Sequence, residues 1–111
     1  MEKEDGMKEI RVRRDGLRDL SFLGKELSWA STQEDNRDSR WEEYHLYQTK
    51  GGKYVIAREY YTLWQGETNH YEGWIGETLR QVFQKAFDLK NPSRIAKELA
   101  DGIIDLSERI E

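Results

Sequence analysis

Cysteine is absent from this 111-residue chain, and proline occurs once. Without cysteine there is no disulfide, no thiolate nucleophile and no Cys-ligated zinc, which fits a reducing cytoplasmic setting. No run approaches the roughly 18 consecutive apolar residues of a membrane span. The opening Met-Glu-Lys-Glu-Asp has no apolar core of a signal peptide. The expectation is a cytoplasmic protein with no membrane partner. Long blocks of one charge sign are also missing: 18 Lys and Arg are interleaved with 22 Asp and Glu, for a net charge of -4. Binding nucleic acid through counterion release needs clustered cations, so that partner class is disfavoured.

Histidine is scarce as well, with only His45 and His70. No His-x-His or Glu-x-x-His spacing is present, and the two histidines are expected a strand apart, so the sequence implies no metal site. Gly-x-Ser-x-Gly and the P-loop lysine pattern are lacking, which removes the usual signals of a hydrolase triad and of a nucleotide cofactor. Glu42 and Glu43 are adjacent on an extended segment and point to opposite sides, so they form no catalytic dyad. His45 as general base with Arg58 as anion clamp would suit phosphate chemistry, but one histidine without a second base does not support it. Residues 92–99 have the flavour of a helix-turn-helix start. The segment that follows, 105–111, is acidic where a recognition helix needs Arg, Lys, Asn or Gln. No cofactor is implied, and the balance leans away from an enzyme.

What the chain does hold is aromatic. Its four Trp and six Tyr all fall between Trp29 and Trp74. Such side chains suit a half-buried sheet or a contact surface. Around them the pattern has period two. Ile10 and Val12 alternate with arginines as a short edge strand, Asp15-Gly16 marks a turn, and Leu20 to Ser31 reads as a strand with a bulge at Gly24. Residues 32–39 contain no apolar side chain and are expected to be an exposed, mobile loop. Arg40–Thr49 and Lys53–Trp64 form a hairpin, and Thr68–Ile75 completes a meander of about four strands. Residues 1–9 are almost wholly polar and are expected to be a disordered tail, leaving 10–111 as a single domain.

At Gly76 the period changes to 3.6. Leu79, Val82, Phe83, Ala86 and Phe87 mark an amphipathic helix, and Thr78 with Gln81 has the form of a capping box. Asn91-Pro92 reads as the start of a second helix with Ile95, Leu99 and Ile103 buried, which Gly102 interrupts. The tail 104–111 has the spacing of a third. Strands followed by helices predict an α+β domain, an antiparallel meander with two or three C-terminal helices packed on one face. A sheet curled toward a half-barrel around the first helix is the alternative.

If Gly51-Gly52 form a two-residue turn, Lys50 faces Lys53, Tyr47 faces Ile56, His45 faces Arg58, Glu43 faces Tyr60 and Trp41 faces Thr62. One side then holds Tyr44, Leu46, Val55, Ala57, Tyr61 and Leu63, the seat for the helix. The other carries Trp41, Glu43, His45, Tyr47, Tyr54, Ile56, Arg58, Tyr60 and Trp64, too aromatic for idle solvent surface. Trp41, Glu43, His45, Tyr47, Arg58, Tyr60 and Trp64 are therefore the candidate binding residues. The expected function is a small interaction module, of the kind common among bacterial or phage regulators, which binds a protein partner or its own copy as a homodimer. The alternative is a pocket for an anionic small molecule or nucleotide, with His45 and Arg58 pairing its charge and Trp64 or Tyr60 stacking on a ring. Both readings depend on register, because a slip of one residue exchanges the faces.

Overall fold

The computed structural model describes residues 6–35 and 37–108. Five antiparallel strands, β1 (Lys8–Val12), β2 (Leu20–Ser31), β3 (Arg40–Thr49), β4 (Tyr54–Thr62) and β5 (His70–Gly76), lie side by side in chain order. Two helices follow, α1 (Leu79–Ala86) and α2 (Arg94–Ala100). The α+β class and the meander are as the periodicity implies. The strands number five because the Ile10/Val12 segment pairs with β2 over five residues, placing Ile10 opposite Phe22 and Val12 opposite Leu20. Of the polar tail expected over residues 1–9, Lys8 and Glu9 belong to β1, and residues 1–5 lie outside the described chain.

Three further expectations shift. The irregularity of β2 falls between Glu26 and Ser28, so the bulged residue is Leu27 and not Gly24. α2 is capped by Ser93, whose hydroxyl accepts from the Ala96 N–H at 3.2 Å, two residues beyond Asn91. Residues 104–108 are not helical, and the rest of the expected third helix lies outside the described residues. At α1 the cap is Thr78, accepting from the Gln81 N–H at 3.0 Å, while the Gln81 side chain reaches back to the N–H of Glu77.

The hairpin itself departs by one residue. Thr49 pairs with Lys53 through an N–H to carbonyl bond of 2.8 Å, so the loop is Lys50-Gly51-Gly52 and has three residues. Gly52 closes it: its N–H bonds the Thr49 carbonyl at 3.0 Å and its φ is +91°, which only glycine adopts freely. A turn of this kind, followed by a left-handed residue, is the usual three-residue hairpin loop. Each β3 residue therefore meets the β4 residue one position earlier than a two-residue turn would give: His45 faces Ala57, Tyr44 faces Arg58 and Glu43 faces Glu59.

The consequence is a redistribution of β4 between the faces. Tyr44 and Leu46 are buried in one cluster with Ala30, Ile56, Val82, Phe83, Ile95, Leu99 and Ala100, against which Tyr54 and Trp74 pack. Ile56, expected on the outer side, thus belongs with the helix residues. Val55 and Ala57, expected beneath the helix, join Ile10 and Val12 in a second cluster with Leu20, Phe22 and Tyr47. At roughly 25 cal/mol per Å2 of apolar surface buried, both faces contribute to folding.

Strands β2 and β3 separate β1 from β4, so their shared cluster requires the sheet to curl. Just beyond β1, the Asp15 N–H bonds the Tyr71 carbonyl at 2.9 Å and its carboxylate accepts from the Tyr71 N–H at 3.0 Å. A side chain at Gly73 would meet Val12 Cγ1 at 2.9 Å and Arg14 Cδ at 3.1 Å. Glycine on β5 is what lets the start of the chain cross so closely.

Candidate functional site on the curled sheet

Alternation along β3 puts Trp41, Glu43, His45 and Tyr47 on one side, the side opposite Tyr44 and Leu46. The register adds Trp29 from β2 beside His45, Glu26 beside Tyr47, and Glu59 and Tyr61 from β4 beside Glu43 and Trp41. Residues 26 and 29 are an odd number apart and would face opposite ways in a regular strand. The bulge at Leu27 is what brings both to this side.

His45 is the centre of the group. Its Nδ1 lies 2.5 Å from Glu26 Oε2, and its Nε2 lies 3.5 Å from Glu59 Oε1 and 3.8 Å from Glu43 Oε1. The ring lies nearly parallel to those of Trp29, with centroids 6.4 Å apart, and Tyr47, at 6.1 Å. Ala57 opposite it is small enough to leave the ring room. The two acids are held in turn: Trp41 Nε1 donates to Glu43 Oε2 at 3.1 Å, and the Tyr61 hydroxyl donates to Glu59 Oε1 at 2.7 Å. Trp41 and Tyr61 stack with centroids 5.5 Å apart.

These contacts set the charges. Hydrogen bonding to Glu59 and Glu26 outweighs burial and raises the His45 pKa to about 9, so the imidazole is a cation at neutral pH. The same contact holds the Glu59 carboxyl below its ordinary range. Burial, with Glu26 and Glu59 nearby, pushes the Tyr47 phenol up to about 12. Burial and the bond to Glu59 push the Tyr61 phenol upward too. A base that already holds its proton beside Glu59, whose charged form is favoured, is poorly matched to proton transfer near neutrality. As a ligand set, however, Glu43, His45 and Glu59 offer donor atoms that all lie within 4.8 Å of one another.

The remaining candidates are elsewhere. Arg58 is on the side of Tyr44, where Nε bonds Glu42 Oε2 at 3.0 Å, Nη2 contacts the same oxygen, and Nη1 bonds Glu72 Oε1 at 2.8 Å. Tyr60 is on that side too, under the Arg58 guanidinium and 5.7 Å from the His70 ring. Trp64 lies past the end of β4, where its Nε1 donates to Ser39 Oγ at 2.9 Å and Arg40 sits over its ring. Arg40 in turn pairs with Glu67, whose carboxyl it lowers to about 2. The expected couple of His45 and Arg58 is thus not formed: the three-residue loop puts them on opposite faces, and each is paired with carboxylates. His70 is no partner for His45 either, and its Nδ1 lies 3.5 Å from Asp15.

Four members of the group, Glu26, Trp29, Glu59 and Tyr61, were not among the candidates read from the sequence. Trp29 and Glu26 depend on a bulge that no glycine marks, and Glu59 and Tyr61 depend on the loop length. Among the described residues no helix is long and apolar enough to cross a membrane. No family model matches the chain, and comparison with curated proteins and with solved structures returns no match.

Proposed function

We propose that this protein is a small non-catalytic cytoplasmic binding module that engages a protein partner through the face of Trp29, Trp41, His45, Tyr47 and Tyr61, with both helices packed on the other face. The observation that carries the reading is Trp29, which is 61% exposed beside the half-buried Trp41, Tyr47 and Tyr61. Trp and Tyr set in a defined arrangement are the side chains that dominate binding energy at protein interfaces. The ion pairs around His45 hold the surrounding rings in place before a partner arrives, which lowers the entropic cost of association. An anionic ligand is less well served, since it would meet Glu26, Glu43 and Glu59 while Arg58 is on the opposite side of the sheet.

Trp29→Ala tests the reading, because an exposed side chain can be removed without opening the core. Affinity capture with wild-type and variant baits, compared by quantitative mass spectrometry, is expected to show a partner depleted about tenfold or more by the substitution. If the partner is a second copy, sedimentation will show a dimer that the substitution dissociates. Identical capture profiles together with identical monomeric masses reject the reading.

A further inference from the structure

We propose that Glu43, His45 and Glu59 form a binding site for a divalent transition metal, with zinc as the ion of choice, and that Glu26 supports it by orienting the imidazole. The inference goes beyond partner binding and stands even if the face engages no protein.

Glu26 accepts at Nδ1, which fixes the ring and turns Nε2 toward Glu43 and Glu59. A carboxylate on the far nitrogen of a histidine is the common outer support of a metal-bound imidazole, since it selects the tautomer and raises the basicity of the ligand. Each acid has an outer support as well, Trp41 for Glu43 and Tyr61 for Glu59. The three ligands and their supports come from β2, β3 and β4, so the positions are set by the sheet and not by a loop.

Distances agree with this. Bonds of about 2.0 to 2.1 Å to a tetrahedral zinc require ligand atoms about 3.3 Å apart. The Nε2 to Oε1 separations are 3.5 Å to Glu59 and 3.8 Å to Glu43, so small carboxylate rotations complete the set. One nitrogen and two carboxylate oxygens suit zinc and its neighbours in the first transition row better than calcium or magnesium, which take oxygen alone. The ion would neutralise the two carboxylates and displace the proton from Nε2, which is its competitor for the site. Three protein ligands leave a fourth position for water or for a group supplied by a partner.

The test uses the full chain, stripped with EDTA and titrated with zinc chloride by calorimetry, with cobalt(II) absorption as an independent report of nitrogen and oxygen ligation. One ion per chain is expected. His45→Gln and Glu59→Gln should each weaken binding at least tenfold, Tyr61→Phe should weaken it less, and His70→Gln should leave it unchanged. Trp29→Ala should retain the metal even where it abolishes partner capture, which separates this inference from the proposed function. Far-UV circular dichroism confirms that the variants fold, and Glu59→Gln, which preserves side-chain shape, decides the matter if His45→Gln does not. Absence of saturable binding overturns the proposal. So does binding that His45→Gln and Glu59→Gln leave intact.

Discussion

Few of the described side chains have as many charged neighbours as His45, which meets three carboxylates beside two aromatic rings. Its pKa in the folded chain is about 9 against an ordinary 6.5, so the folded state holds the proton more tightly than the unfolded one. The stabilisation is fully present below pH 6.5 and is lost as pH rises through 9. The rise corresponds to about 3 kcal/mol as an upper figure. The lowered Glu59 pKa reflects the same contact and adds no second contribution; it sets the acid side, where stability falls as that carboxylate is protonated. In EDTA, unfolding midpoints should therefore fall steadily between pH 6.5 and 9, and His45→Gln should flatten that slope. An NMR titration that places the imidazole near 6.5 would contradict the arrangement. At this scale much was legible: Trp41, Glu43, His45 and Tyr47 share a face because alternation within one strand needs no knowledge of its neighbour.

The hairpin of β3 and β4 shows where that legibility stops. Its existence and the range of β3 follow from alternating apolar residues around Gly51-Gly52, while β4 spans Tyr54–Thr62 and stops two residues short of the expected Trp64; a turn of two residues and a loop of three are built from the same glycines. The difference lies in backbone and side-chain bonds: Thr49 accepts from Gly52 through its carbonyl and from Lys53 through its hydroxyl at 3.0 Å, which favours the longer loop. Replacing Gly52 by alanine at φ +91° should cost about 1 to 2 kcal/mol, read as a lower urea midpoint, because a Cβ crowds the neighbouring carbonyl in that conformation. Gly51→Ala should cost clearly less, since its φ is not positive and a Cβ there meets nothing nearer than 3.8 Å. Helix α1 was legible to its cap, because the periodicity of Leu79, Val82, Phe83 and Ala86 and the Thr78 hydroxyl are local features.

For the molecule as a whole, the curl of the sheet unites β1 with β4 and brings the Asp15 turn to Tyr71. Gly73→Ala places a carbon closer than van der Waals contact to Val12 and Arg14, so it should loosen this crossing at a cost of about 1 to 3 kcal/mol. Hydrogen exchange checks it: the β1 amides should lose protection while α1, which lies in the other cluster, keeps most of its own. Unchanged exchange in β1 would show that the crossing does not hold the strand. The sequence by itself determined the five strand segments to within a few residues, helices α1 and α2, and the alternation along β3, because propensity, periodicity and capping act over a few neighbouring residues; the helical spacing of residues 104–108 and the unbroken alternation expected near Leu27 did not hold. Only the tertiary structure decided which strand faces meet. A three-residue loop puts Glu59 and Tyr61, in place of Arg58 and Tyr60, on the face of His45. A bulge at Leu27 adds Glu26 to Trp29, and the curl covers the other half of that face with Ile10 and Val12. Loop length and bulge position hinge on one residue of register, and small differences in packing over the whole sheet choose between registers that are locally almost equal.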